Sequence, residues 1–211
     1  DDFFSEIPCE MLAKKLLGKV LCRQLSENGE VLKGMVVETE AYVGVEDEAS
    51  HTYNGKKSAR NEAMYMKPGT AYVYINRGIY NCFNVTSYGY ASAVLIRSLE
   101  PMQGIETMSA LRAKFGKKMK EKNIKEKILC NGPAKLCISL NIDKASVNKQ
   151  DLATSSSIWF EEGRVIAESE IVSAPRVGIN VSEKWKKKLL RFYLIGNEYV
   201  SVRDKNAESG R

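Results

Sequence analysis

The sequence VLKGMVVETEAY, residues Val31–Tyr42, predicts one long β-strand from which the rest of the fold can be worked out. It follows a shorter apolar run, residues 19–25, across the turn Ser26-Glu27-Asn28-Gly29. An Asn-Gly turn between two apolar runs is typical of a β-hairpin. The amino-terminal part therefore predicts an antiparallel pair of strands.

The end of this strand carries two carboxylates on one face. Side chains alternate along a strand, so Glu38, Glu40 and Tyr42 share one face. Glu38 and Glu40 then stand roughly 6–7 Å apart at the backbone. This arrangement is unfavourable unless the face is solvated, binds a metal or is paired with cations. From the strand alone, a solvated edge with salt bridges remains an alternative to a functional site.

Further strands outnumber the predicted helices along the chain. Gly78 permits a tight connection between the third and fourth of these strands, and the fifth is predicted to end at Pro101. Strands are predicted over residues 19–25, 31–42, 70–76, 79–86, 92–99, 158–161, 171–179, 189–195 and 199–202, and helices over 8–17 and 104–115. Runs of strands with few helices favour an α+β fold with a curved, mostly antiparallel sheet and flanking helices. A length of 211 residues suits a single domain, residues 1–211.

Composition excludes several kinds of chemistry. With His51 as the one histidine, no two-histidine metal site can form within the chain, and any Ser/His or Cys/His pair would need that ring. We predict no metal and no cofactor. The cysteines number five, an odd count, and no C-x-x-C motif occurs. This favours a reducing compartment in which the cysteines are small buried residues without disulfides. No apolar run approaches the roughly 18 residues of a membrane span.

The positive charge is concentrated in one segment, residues 112–127. The formal net charge is +6. This segment alone carries that excess, with eight basic residues against two acidic ones. It is interpreted either as a solvated loop or as a segment that attracts phosphates. A second basic cluster surrounds Trp185 and consists of Lys184, Lys186, Lys187, Lys188 and Arg191.

Tyrosines crowd the second predicted hairpin. Tyr72 and Tyr74 share one face, and Tyr80 follows the Asn76-Arg77-Gly78 turn. Aromatic rings with amides and an arginine are what a base-stacking pocket requires, although ordinary sheet packing is an alternative.

Five motifs in a fixed order resemble one enzyme family. They are VETEAY (residues 37–42), EDEASH (46–51), MKPGTAYVY (66–74), NGPAKL (131–136) and LRFY (190–193). Together they resemble the alkyladenine (3-methyladenine) DNA glycosylase family over nearly the whole chain. The resemblance implies an enzyme that flips alkylated or deaminated purines out of double-stranded DNA and hydrolyses their N-glycosidic bonds. The implied substrates are 3-methyladenine, 7-methylguanine, ethenoadenine and hypoxanthine.

The resemblance also assigns roles around the bond that is cleaved. It implies that Glu40 is the general base that activates a water, and that Arg97 helps to hold this water. Glu38 is expected to be a structural or electrostatic neighbour. No lysine matches a Schiff-base nucleophile, so a monofunctional glycosylase without strand nicking is expected. We expect a monomer that is neither secreted nor bound to membranes, nuclear in a eukaryote and cytoplasmic in a bacterium.

The remaining implied roles concern the base and the duplex. Tyr42, His51 and Tyr74 match the walls of the base pocket, Asn84 matches a residue that excludes guanine, and Leu95 is a further substrate contact. The implied DNA contacts are Arg60, Met64, Arg77, Ile79, Tyr80 and Lys135, with Lys135 reaching a phosphate. The resemblance implies a protruding hairpin that inserts into DNA. At the tip of this hairpin the family usually has a tyrosine wedge, whereas this chain has Arg77. A guanidinium plane can also stack on bases.

Two other classes of function stay open at this point. One is a nucleic-acid-binding module that has lost catalysis, and the other is an RNA-associated domain of related fold. Glu40 argues against the first, because a carboxylate in a DNA-facing pocket repels phosphate unless it performs chemistry. The second explains the tyrosines but not the order of all the motifs.

Overall fold

The computed structural model describes residues 3–26, 29–115 and 124–210. Its strands are β1 (Val20–Gln24), β2 (Val31–Tyr42), β3 (Ala71–Asn76), β4 (Tyr80–Thr86), β5 (Ala93–Gln103), β6 (Ile158–Glu161), β7 (Ile171–Ala174) and β8 (Arg191–Leu194). Its α-helices are α1 (Cys9–Lys15), α2 (Ile105–Phe115), α3 (Pro133–Ser139), α4 (Lys144–Val147), α5 (Glu183–Lys186) and α6 (Lys205–Ser209). The pairings between these strands are antiparallel, so the predicted α+β class is confirmed.

Strand β2 lies at the centre of the sheet and pairs with three neighbours. β5 runs along one edge of β2. On the other edge β1 pairs with residues 31–35, and β8 takes over at residues 38–40. The β2–β5 ladder has register shifts on both sides of Glu38, and such bulges bend a strand. The irregular part of the strand is therefore the part that carries the carboxylates.

Both faces of β2 are buried around this point. On one face Val37 and Ala41 belong to the main apolar core, and Thr39 donates a 2.8 Å hydrogen bond to the carbonyl oxygen of Ala13 in α1. On the other face Glu38 and Glu40 are fully buried. The predicted alternation is confirmed, but the solvated edge is wrong, because the carboxylate face is enclosed by protein.

Several predicted strand ends were wrong. β5 continues through Pro101 to Gln103, because Pro101 lies opposite Gly34 beside a register shift, where a missing N–H is tolerated. β7 ends at Ala174, just before Pro175. Residues 199–202 form turns and bends instead of a strand. The loops that replace these strands carry backbone groups into the candidate site. Helices α3 to α6 were not predicted.

The basic segment is only partly described. Residues 116–123 lie outside the described part of the chain. Arg112 is buried in α2 and donates to the carbonyl oxygens of Ile128 and Leu129, so it does not belong to a solvated loop. All five cysteines are free and buried, as expected of small core residues. No helix in the described ranges is long and apolar enough to cross a membrane.

Candidate active site

Glu38 is the most heavily paired carboxylate of the chain's central strand. Its Oε1 accepts hydrogen bonds from Arg97 Nε at 2.9 Å and Arg191 Nη1 at 3.1 Å. Its Oε2 accepts from the backbone N–H of Ser201 at 2.8 Å. With two guanidinium partners and a backbone donor, Glu38 is held as a structural anion, which supports the role expected of it.

Glu40 lies two residues further along β2. Its carboxylate borders a cavity and can accept one more hydrogen bond from a group in it. Its Oε1 accepts from the backbone N–H of Val177 at 2.7 Å and lies 3.2 Å from Arg97 Nη1. Its Oε2 accepts from the Tyr42 hydroxyl at 2.9 Å. A carboxylate offers about four lone-pair sites, so Oε2 can accept one further hydrogen bond. Glu40 is thus oriented by three donors and can still bind a water.

Burial and charge fix the protonation of the two donors beside Glu40. Burial acts to lower the pKa of Arg97, but Glu40 and Glu38 outweigh it and raise that pKa above its usual value. Burial, with Glu40 adding to it, raises the pKa of Tyr42 well above its ordinary value. Arg97 therefore stays charged, and Tyr42 stays a hydroxyl that donates to Glu40.

A cavity of about 310 Å³ opens in front of Glu40. Its walls include Tyr42, Tyr74, Leu95 and Arg97, and its rim reaches Arg77 at the hairpin tip. The structure therefore brings the two residues expected to be catalytic together with two expected base contacts. Larger grooves of about 540 and 700 Å³ lie elsewhere, but their described lining residues include no buried charged side chain.

A smaller cavity of about 60 Å³ adjoins the one in front of Glu40, and Tyr42 and Tyr74 line both spaces. His51 packs edge-on against Tyr74, with ring centroids 4.5 Å apart, and its Nδ1 is 2.7 Å from the Tyr72 hydroxyl oxygen. Burial, assisted by Arg60, lowers the pKa of His51 to about 4, so the ring is neutral at pH 7. Met64 is buried in the wall of this cavity instead of lying on an exposed DNA-facing surface.

Asn84 lines the small cavity in a fixed orientation. Its Nδ2 donates to the carbonyl oxygens of Tyr72 at 3.0 Å and Cys82 at 3.3 Å. Because the amide nitrogen is held by the sheet backbone, the side chain cannot swing away from a base that enters the cavity.

The β3–β4 hairpin presents the residues expected to contact DNA. Arg77 and Gly78 both have positive φ, of 50° and 74°, and the Ile79 N–H donates to the Asn76 carbonyl oxygen across the turn. Arg77 and Ile79 are exposed at the tip. Tyr80 is half-buried and packs against Phe115, with ring centroids 6.0 Å apart.

The two remaining cationic candidates, Arg60 and Lys135, differ in exposure. Arg60 is exposed, with its guanidinium 5.7 Å from the Tyr74 ring centroid. Lys135 is partly buried in α3 and donates to Asn131 Oδ1 at 2.7 Å. Burial, with Arg112 adding to it, lowers the pKa of Lys135. Lys135 would have to exchange this bond for a phosphate oxygen.

Three groups in the site were not predicted as functional. Arg191 was grouped with the surface lysines around Trp185, but it is buried and bonds Glu38. The backbone N–H groups of Val177 and Ser201 lie in stretches predicted as strands. The signal available for Arg191 was its place in the apolar LRFY motif, where a solvated arginine is unexpected.

The described residues provide neither a metal site nor a lysine in the cavities. They contain no group of three or more His, Cys, Asp or Glu side chains that could hold a metal ion. No lysine lines either cavity within those residues. The chemistry available there is that of an oriented carboxylate beside aromatic walls.

Comparison with known proteins agrees with this geometry. Residues 2–198 match the profile of the family described as Methylpurine-DNA glycosylase (MPG). The chain is 48% identical over 195 residues to "Probable DNA-3-methyladenine glycosylase" of Encephalitozoon cuniculi, which covers 92% of this chain and 89% of that protein. It is 46% identical over 208 residues to "DNA-3-methyladenine glycosylase" of Homo sapiens, covering 98% of this chain and 69% of that protein. The Mus musculus protein of the same name is 46% identical, and the match covers 62% of that protein's length. The match extends over almost the entire chain, so the chain belongs to the methylpurine-DNA glycosylase family.

Proposed function

We propose that the chain is a monofunctional DNA glycosylase that releases alkylated and deaminated purines with a water activated by Glu40. Membership of the family gives the enzyme class, a DNA glycosylase that hydrolyses N-glycosidic bonds. The observation that carries the mechanism is the placement of Glu40. This carboxylate is buried, held by Arg97 and Val177, and faces the cavity that the hairpin tip borders.

This hydrolysis depends more on a general base, which activates the water, than on a general acid. Cleavage of the bond between the base and C1′ passes through an oxocarbenium-like state, and the bonding electrons leave with the base. The oxygen of a water bonds to C1′, and one of its protons passes to Glu40 Oε2. A base alkylated at a ring nitrogen is already cationic and departs without prior protonation. For these cationic bases one oriented carboxylate therefore suffices, whereas a neutral base such as hypoxanthine leaves with the bonding electrons as an anion and takes its proton from solvent water. Glu38, with both oxygens already bonded, need not take part.

The aromatic walls supply the binding site for the extruded base. We place the base between Tyr42 on one side and His51 with Tyr74 on the other, with Leu95 beside the sugar. A neutral His51 suits this role, because a charged ring would repel a cationic base. The fixed amide of Asn84 would collide with the 2-amino group of guanine. These contacts favour 3-methyladenine, 7-methylguanine, ethenoadenine and hypoxanthine over normal guanine. Met64 contributes to the pocket wall.

Arg60, Lys135 and the hairpin tip are proposed to provide the duplex contacts. Arg77 would enter the stack at the position that the base leaves, flanked by Ile79 and Tyr80. Arg60 and Lys135 would bind phosphates, which fixes register without reading sequence. The turn holds Arg77 in a left-handed conformation that costs a non-glycine residue about 1 kcal/mol or more. Strain of this kind is concentrated at functional positions. The protein is proposed to act on double-stranded DNA as a monomer.

Incubation with an inosine-containing duplex tests the proposal. Wild-type protein should yield abasic sites that break only after alkali treatment, because no lysine among the residues that the structure describes lines the cavities to form a Schiff base. Glu40→Gln should yield almost no abasic sites, and Glu46→Gln is its matched control, since Glu46 is exposed and lies six residues from Glu40. Breakage without alkali would contradict the monofunctional assignment, and an intact duplex after alkali would contradict the glycosylase assignment.

A further inference from the structure

A stack of alternating rings and cations runs from the pocket wall to the surface. The Arg176 guanidinium carbon lies 4.7 Å from the centroid of Tyr42 and 5.9 Å from that of Trp185. Lys188 Nζ lies 3.8 Å from the Trp185 centroid. Tyr42 thus has a cation on one side of its ring, in addition to the cavities that it lines.

Arg176 lies outside both cavities that Tyr42 lines. Its side chain is 0% exposed, and it is not among the lining residues of either cavity to which Tyr42 contributes. The guanidinium and the incoming base would therefore share one ring from opposite sides.

Asp47 fixes the guanidinium in this place. The pair is bidentate, with Nη1 to Oδ2 at 2.6 Å and Nη2 to Oδ1 at 2.8 Å. Arg176 also donates to the carbonyl oxygen of Ala41, next to Tyr42. Asp47 in turn accepts from the backbone N–H groups of Val43 and Ala49. The cation cannot leave the ring without breaking its buried hydrogen bonds to Asp47 and Ala41.

A cation on one face changes what the other face binds. The negative face of an aromatic ring attracts cations, and this attraction reaches about 2 kcal/mol when the site is desolvated. A guanidinium on the back face draws on the same electron density and repels a second positive charge. A neutral base, which stacks by dispersion and hydrophobic contact, loses much less.

We propose that Arg176 is a positioning residue that sets lesion preference, by lowering the affinity of Tyr42 for cationic bases relative to neutral ones. The inference rests on the proposed function and deepens it. It predicts that Arg176 disfavours 7-methylguanine, which is cationic, relative to neutral bases such as hypoxanthine and ethenoadenine. The charge of Arg176 does reach the ring, since it acts to lower the pKa of Tyr42 against the rise that burial causes.

The test is the ratio of kcat/KM for 7-methylguanine to that for hypoxanthine in matched duplexes. The variant is the double replacement Asp47→Asn with Arg176→Gln, which removes the guanidinium without leaving a buried carboxylate unpaired. We expect the ratio to rise about fivefold, equivalent to ~1 kcal/mol of cation–π energy. The control is Thr39→Val, which removes a buried hydrogen bond from the opposite face of β2 and should leave the ratio unchanged.

Three outcomes separate the possibilities. An active double variant with an unchanged ratio overturns the role of Arg176 and leaves the glycosylase assignment intact. A loss of both activities in equal proportion shows that Arg176 is only structural and also overturns the role. If wild-type protein released none of these bases, the proposed function itself would be contradicted.

A measurement without the double variant covers the case in which it does not fold. Glu40→Gln removes the nearby carboxylate charge, so a preference for a cationic base can then come only from the aromatic ring and not from Arg97, which is itself a cation. Duplexes with 7-methylguanine and its neutral isostere 7-methyl-7-deazaguanine should then bind this variant within about twofold of each other. A preference of tenfold or more for the cationic base would overturn the inference.

Discussion

Replacing Arg97 with methionine should destabilise the protein more than any exposed substitution, because it unbalances a buried cluster of charges. The cluster contains two carboxylates, Glu38 and Glu40, and two guanidiniums, Arg97 and Arg191. Glu38 keeps Arg191 in the variant, but Glu40 loses the guanidinium that lies 3.2 Å from it. The variant therefore buries one negative charge without a counter-ion.

The size of the effect follows from known buried ion pairs. Removing one partner of such a pair costs about 3–5 kcal/mol. Domains are stable by about 5–15 kcal/mol, so the Arg97→Met variant should still fold. For a chain of this size each kcal/mol corresponds to about 2–4 °C, so the melting temperature should fall by roughly 6–20 °C.

The assay is urea unfolding of a double-mutant cycle. Glu40→Gln combined with Arg97→Met leaves Glu38 paired with Arg191, so the double variant regains neutrality without an unpaired charge. We expect its destabilisation to be smaller than the sum of the two single changes by about 1 kcal/mol or more, with unchanged m-values. Additive destabilisation, or a single-variant loss below about 1 kcal/mol, would refute the balanced-cluster account.

Three further predictions concern the hairpin tip and the pocket. Arg77→Ala should reduce the flipped fraction of a fluorescent damaged base about tenfold, as expected from a stacking energy of ~1–3 kcal/mol. Arg77→Tyr should slow the return of the base into the duplex. Unchanged flipping kinetics in both variants would contradict the wedge assignment. Asn84→Ser should raise the release of normal guanine relative to hypoxanthine, and the ratio of product bases after long incubation measures it; no change would contradict guanine exclusion. His51 has a folded-state pKa of about 4 against an ordinary 6.5, so unfolding takes up a proton between these values and stability falls as pH drops through this window. Urea unfolding at pH 7 and pH 5 should show a smaller fall in His51→Gln than in wild type, and an equal fall would argue against the buried neutral ring.

Local pattern in the sequence was sufficient for the strand and for the side chains that share its face. The alternation in β2 placed Glu38, Glu40 and Tyr42 together, and the Arg77-Gly78 pair marked the second hairpin. The local pattern did not predict that the two carboxylates are buried. Their counter-ions come from strands 59 and 153 residues away, and no local signal links such positions.

The same limit explains the missed loop contacts. Residues 171–179 read as a strand by composition, but Pro175 interrupts the ladder, and the following loop brings Arg176 and Val177 to the site. A backbone N–H has no side-chain signature, so its bond to Glu40 is visible only in three dimensions. The resemblance to a known family supplied the roles of Glu40 and Arg97, and the structure supplied the neighbours that make those roles chemically reasonable.

The most direct test of the central claim is single-turnover excision of hypoxanthine by Glu40→Gln, measured beside its binding to the same duplex. The amide keeps the size of the side chain but cannot take a proton from water. The account predicts a fall in the excision rate of about 10²–10⁴-fold, with binding within a few-fold of wild type and Glu46→Gln unaffected. An excision rate within tenfold of wild type would contradict the assignment of Glu40 as the general base.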